Sequence, residues 1–383
     1  MAKKRRRRKK IKNKGVKIFG LIVFIISAVL LTLTMKNLID AQNEREAAND
    51  RLEIMQAETA ELEFFASKRP NKGNGGSTGS STDFYEKIKS GQSVNILFLG
   101  NCSARGEYGW ISRGASSLAA RYNVALGGGN YTNLGSDSFL GYYLMNSNMK
   151  GLTYDLVVVV FGHGEDTESF RVNYDGLFRS IKENNQKCEI IAVIEADKNG
   201  YNANVDSVRE ICDHYGASVI DMVQYFKENK VDYKSSTSDG RTLTYNGCNH
   251  YIDAFLSTIE TNIIEGKTVD PVTEGVYSTS ECFADFQFIP VSQMTKAGEN
   301  AVEIKTNAKM VNLIYYDNYA GGDITLFVNG KKVEGFRNVG VQNTARSLNR
   351  RLVSQNLNGI NTIRINFGKS DNISNIKGIV IGG

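Results

Sequence analysis

Between residues 84 and 268 short apolar runs alternate with amphipathic patterns of helical period. Strands are predicted at 94–99, 124–126, 156–161, 190–194 and 218–220, and helices near 112–121, 137–148, 168–184, 204–215 and 249–264. The run Leu156-Val157-Val158-Val159-Val160-Phe161 offers no polar position to solvent, as a strand buried on both faces requires. Such alternation predicts an α/β domain, a doubly wound parallel sheet flanked by helices. From residue 269 to 383 the texture changes to short β-rich runs at 283–289, 301–306, 311–316, 324–328, 362–367 and 376–381. Turn signals Gly321-Gly322, Asn329-Gly330 and Asn358-Gly359 separate them, which predicts a C-terminal antiparallel β-sandwich.

Upstream the pattern is different. Residues 18–35 contain no charge, enough at 1.5 Å per residue to cross roughly 27 Å of hydrocarbon. A cleavable signal peptide is the rival reading, but no small-x-small site follows before Lys36, and an uncleaved transmembrane helix is expected. Residues 36–65 are charged and lack Gly and Pro, with Leu38, Ala41, Ala48, Leu52, Met55 and Leu62 on one heptad seam. They predict a stalk, either a single solvated helix or a parallel coiled coil that would make a homodimer. Residues 66–83 turn to Gly, Ser, Asn and Lys, a flexible linker.

Charge settles the orientation. The chain has 383 residues and net charge +5, but residues 1–17 alone hold eleven Lys or Arg and no acid. That basic tail keeps the N-terminus cytoplasmic and places both folded domains outside the cell membrane. The remainder is mildly acidic, so nucleic acid is not an expected partner. Five cysteines without a CxxC pair and only three histidines argue against a structural zinc site, and no cofactor is suggested.

In a doubly wound sheet ligands bind at the carboxyl ends of the strands. The loops predicted there read Gly100-Asn101-Cys102-Ser103, Gly127-Gly128-Gly129-Asn130 and Gly162-His163-Gly164-Glu165, with Asp239-Gly240-Arg241-Thr242 near the end of the domain. Their order resembles the SGNH/GDSL hydrolase family, over about residues 90–266. The resemblance implies an SGNH-type fold, deacylation or acyl transfer as the chemistry, and an acylated cell-surface or extracellular polysaccharide as partner. It implies that Cys102 replaces the nucleophilic Ser and Asn101 the Asp before it. Gly128 fits the second-loop oxyanion donor, with Gly127 or Gly129 as alternatives. Gly164 stands where an Asn donor belongs, and Asp239 is retained while Thr242 occupies the histidine position. Cys102, Gly128 and Gly164 are therefore the expected oxyanion-hole positions.

A thiol is partly ionised near neutral pH and needs a base less than a hydroxyl does, so Ser-to-Cys alone is not fatal. Loss of an oxyanion donor costs on the order of 100- to 1000-fold. His163 and His250 are candidate replacement bases for Cys102; the plainer reading makes His163 a polar loop residue and His250 a helix-surface one. Arg105, Trp110, Tyr131 and Tyr245, with Asn101, are candidate ligand contacts, since aromatic faces beside polar groups suit a sugar ring. Core packing is the competing role for the aromatics. Three readings follow: a catalytically impaired relative that binds a glycan or scaffolds, a working esterase or acyltransferase using Cys102, or a structural envelope protein.

Overall fold

The computed structural model describes residues 83–101, 109–133, 136–238, 242–277, 287–316, 322–338, 348–368 and 373–382. The predicted tail, span, stalk and all of the linker except Asp83 lie outside them. Among the described residues no helix is long and apolar enough to cross a membrane.

The α/β domain opens with α1 (Phe84–Lys89), capped by Asp83, and β1 (Val94–Asn101). It continues through α2 (Trp110–Tyr122), β2 (Leu126–Asn133), α3 (Ser138–Asn146), β3 (Leu156–Val160) and α4 (Thr167–Asn184). Then come β4 (Glu189–Ile194), α5 (Val205–His214), β5 (Ser218–Asp221), α6 (Met222–Glu228), α7 (Tyr233–Ser236) and α8 (Tyr245–Glu265). The strands form one parallel sheet in the order β2-β1-β3-β4-β5. Because successive side chains point to opposite faces, the continuous apolar runs serve two cores. Ile96, Phe98, Val158 and Val160 pack with α1, α2 and α8, whereas Leu97, Leu99, Val157 and Val159 pack with α3, α4 and α5. A polar network closes the amino ends of the strands: Tyr85, Ser218 and Lys267 all donate to the buried carboxylate of Glu189.

One element departs from expectation in a way that matters for the site. The second strand does not end at residue 126 but begins there, and the triple-glycine run is strand, not loop. Gly128 pairs with Ile96 at φ +141°, and a Cβ there would fall 1.7 Å from the Ile96 carbonyl oxygen. Glycine lets the β2 backbone press onto β1 at a point where any side chain would collide.

The C-terminal part comprises β6 (Gln287–Pro290), β7 (Thr295–Lys296), β8 (Ala301–Thr306), β9 (Met310–Tyr316) and β10 (Gly322–Val328). It continues with β11 (Lys331–Asn338), β12 (Leu348–Ser354), β13 (Asn361–Phe367) and β14 (Ile376–Gly382). Two antiparallel sheets, β11-β10-β13-β8-β7 and β12-β9-β14-β6, enclose a core that includes Leu313, Ile324, Leu326, Ile363, Ile365 and Ile379. The outer face of the four-stranded sheet is not solvated. Ile314, Leu348 and Val380 join the α3–α4 core, and Phe288 meets Tyr143 edge-on at 5.3 Å. Arg350 reaches across the same contact to Asp137 at 2.5 Å. The connection between the two parts is held as well, with Lys182 donating to the Asp270 carbonyl and the Tyr277 amide to Asp175.

Candidate functional site

At the carboxyl end of the sheet, β1 ends at Asn101, β3 runs into the loop Gly162–Asp166, and β4 runs into Glu195-Ala196-Asp197. His163, Glu195, Ala196, Asp197, Tyr233, Leu243 and Tyr251 line one cleft there. Asn101, nearly buried, donates its side-chain amide to Glu195 at 3.3 Å, which ties the ends of β1 and β4 together. The Ala196 amide donates to the Tyr251 hydroxyl at 3.0 Å. Burial pushes that hydroxyl well above the ordinary tyrosine range, so it stays protonated.

The third loop is shaped by two glycines with positive φ, Gly162 at +108° and Gly164 at +76°. No described residue lies within 4 Å of a Cβ built on Gly164. His163 sits between them, with Nδ1 3.9 Å from the Asp197 carboxylate. The stem is fixed. Glu165 accepts from the Gly162 amide at 3.0 Å and from the Ser138 amide and hydroxyl at 2.9 and 2.6 Å. Burial raises the Glu165 carboxyl above its usual range and the Asp137 charge adds to this, while the hydrogen bonds oppose it.

The other predicted residues divide. Cys102, Arg105 and Asp239 lie outside the described residues. Thr242 precedes α8, and its carbonyl accepts from the Ser238 amide at 2.9 Å. His250 stands with its ring against Tyr225 and Phe226 of α6, and it is not among the residues that line the cleft. Gly128 is five residues short of the carboxyl end of β2, with its backbone inside the sheet, so the oxyanion role expected for it is withdrawn. Trp110 is not a cleft aromatic either. It is 1% exposed, wedged between Phe98, Tyr251 and Phe255, and its indole N–H has no hydrogen-bond partner among the described residues. Tyr131 packs half-buried on the α3–α4 core. Tyr245, by contrast, is 51% exposed at the start of α8, with the Arg113 guanidinium 4.4 Å above its ring.

Glu195 and Asp197 escaped the sequence reading. The stretch Glu195-Ala196-Asp197 itself contains no glycine, but the rule that ligands gather at carboxyl ends, applied to the strand at 190–194, points directly at it.

No family model matches the chain, and no curated protein is similar to it in sequence. Its fold does have relatives among solved structures. A two-domain esterase active on acetylated mannans, crystallised with mannopentaose, superposes with a TM-score of 0.60 at 13% identity, covering 78% of this chain and 93% of that one. A second structure of that esterase gives 0.57 at 15% identity, covering 78% and 94%. A protein described as a GDSL-like lipase from Parabacteroides merdae gives 0.39 at 12% identity, covering 44% and 96%. The chain shares the fold of the two-domain esterase, which is consistent with the SGNH/GDSL resemblance of its loops. In that fold the third loop stands at the carboxyl end of β3, with Gly164 at its tip.

Proposed function

We propose that the chain is a membrane-anchored protein of SGNH/GDSL fold, facing the cell exterior, that engages acylated glycans with little capacity to hydrolyse them. The observation that carries this reading is Gly164: at the position of the Asn donor there is no side chain, only a backbone in the left-handed region with no described residue within 4 Å of a Cβ built there. Thr242 in the histidine position points the same way. The glycan class is supported by the two-domain esterase, which acts on acetylated mannans. The anchor is supported by the uncharged stretch 18–35 behind its basic tail.

The test is turnover of aryl acetates and acetylated mannan by the full chain beside Cys102→Ala. Both should run at the same background rate. Installing the missing groups as Cys102→Ser, Gly164→Asn and Thr242→His should raise aryl-ester turnover by about 100-fold or more, since Asn tolerates the left-handed backbone and no described residue lies within 4 Å of its Cβ. Turnover by the unmodified chain that disappears in Cys102→Ala would sink the impaired reading. The anchor is tested separately by alkaline extraction of membranes, where release of the chain into the soluble fraction would overturn it.

One observation favours a second reading. His163 next to Asp197 has the arrangement of a base beside an orienting carboxylate, although 3.9 Å is longer than a hydrogen bond. A thiol esterase with Cys102 as nucleophile and His163 as base would lose its turnover in Cys102→Ala and in His163→Ala alike.

A further inference from the structure

The third loop has a backbone that its two glycines permit but do not enforce. Gly162 and Gly164 have φ values of +108° and +76°, and the tip carries His163 into the cleft with no described residue within 4 Å of a Cβ built on Gly164. Glycine is free to adopt many other conformations, so this single one has to be selected by contacts around the loop. Here those contacts form a continuous chain that leaves the α/β domain. Asn204 donates to the Gly162 carbonyl at 2.7 Å and the Glu165 carbonyl at 3.0 Å, fixing the acceptor side of the loop. The Glu165 carboxylate fixes its donor side, one oxygen taking the Gly162 amide and the other taking both donors of Ser138.

Ser138 is the first residue of α3, and Asp137 caps that helix by accepting from the Leu140 amide at 2.9 Å. The second oxygen of Asp137 is held by Arg350 from β12, whose guanidinium also donates to Asn312 at 2.8 Å and lies 4.6 Å from the Phe139 ring centre. A strand of the sandwich thus grips the same helix end that holds Glu165.

We propose that Glu165 is the positioning residue of the third loop and that the β-sandwich, through Arg350 and Asp137, sets the helix end on which Glu165 acts. The carboxylate is matched to three donors and needs acceptor capacity on both oxygens. Glu165→Gln keeps the size but turns an NH2 group toward one set of donors, so the loop must give way. Arg350→Ala leaves the loop's own contacts intact and removes only the distant grip. The inference concerns the shape of the loop, and it holds whether the site hydrolyses or only binds.

The three histidines of the chain provide the measurement without any substrate. In the full chain labelled with 13C at the histidine rings, His163 reports the loop tip. His214, whose ring contacts the Glu274 carbonyl, and His250, packed on α6, are internal controls. Glu165→Gln should shift the His163 ring signals beyond their linewidth and leave the other two in place. Arg350→Ala should move His163 in the same direction by a smaller amount, and Arg350→Lys, which restores a cation toward Asp137, should recover part of that shift. An unmoved His163 in either Glu165→Gln or Arg350→Ala overturns the proposal, as does a common shift of all three histidines, which marks a general loss of structure. If Glu165→Gln does not fold, the two Arg350 variants decide alone. Because no turnover is measured, failure here is separate from failure of the esterase tests.

Discussion

Gly128→Ala is expected to leave no cooperatively folded α/β domain. The added Cβ would sit 1.7 Å from the Ile96 carbonyl oxygen, 2.7 Å from its carbonyl carbon and 2.9 Å from its nitrogen. All three are backbone atoms of β1, an inner strand, so no rotamer change relieves the clash. The backbone itself also opposes the substitution, since φ of +141° is a region that L-residues avoid. Relief requires β2 to move off β1, breaking a register that runs from Val94–Leu126 to Asn101–Asn133. The cost should exceed about 4 kcal/mol, the range reserved for changes with a specific steric cause. Far-UV circular dichroism against temperature checks it: loss of the sharp transition is the expected result. An oxyanion donor would respond differently, because alanine keeps the amide N–H and would alter turnover while leaving stability near that of the parent.

Trp110→Ala should destabilise the chain by about 3–5 kcal/mol, the usual cost of emptying an aromatic site in a core. The indole is 1% exposed, with ring centres of Phe98, Tyr251 and Phe255 at 6.3, 5.6 and 6.4 Å. These neighbours come from β1 and α8, and α2 begins at Trp110 itself, so the cavity would open where two helices meet the sheet. Trp110→Phe should cost less: most of the ring contact survives, and the indole N–H has no hydrogen-bond partner among the described residues to lose. Urea denaturation checks this, with the midpoint falling and the slope unchanged. On the proposed glycan reading, affinity for acetylated mannan, measured well below that midpoint, should stay at the parent value. A selective loss of binding at unchanged stability would return Trp110 to the cleft.

The elements that sequence patterning identified are those whose burial imposes a clear period. β3 and β4 are buried along their whole length and leave apolar runs that read without ambiguity. The strands it missed have weak patterns for physical reasons. β11 and β12 each lie at the edge of a sheet, where exposure permits Lys331-Lys332 and Arg351, and a pairing with Asp137 across the domain contact permits Arg350, to interrupt the alternation. Leu126 of β2 is followed by three glycines, which carry no hydrophobic signal and ordinarily mark turns, so local pattern alone does not distinguish this strand from a loop. The carboxyl-end rule placed His163 and Gly164 correctly in the third loop, because a fully apolar strand ending in glycine defines its own exit. It could not separate Trp110 from the cleft, since an aromatic beside Gly109 looks the same whether its helix turns inward or outward. Glu165 and Arg350 were invisible for a different reason: their partnership spans the two parts of the chain, and no local pattern encodes it.

The order of the strands in the sandwich also constrains how this protein comes into being. β13 and β14 come last in sequence among the described strands, yet each lies inside its sheet, β13 between β10 and β8 and β14 between β9 and β6. Until they arrive β8, β9 and β10 each have one open edge and β6 has no partner, although β7–β8, β9–β12 and β10–β11 can already pair. As the polypeptide is synthesised, the α/β sheet can close early from consecutive elements, while the sandwich waits as separate strand pairs with open inner edges. Its completion is therefore a late event, with the already folded α3 and α4 surface available as a template for the outer face of the β9–β14 pair.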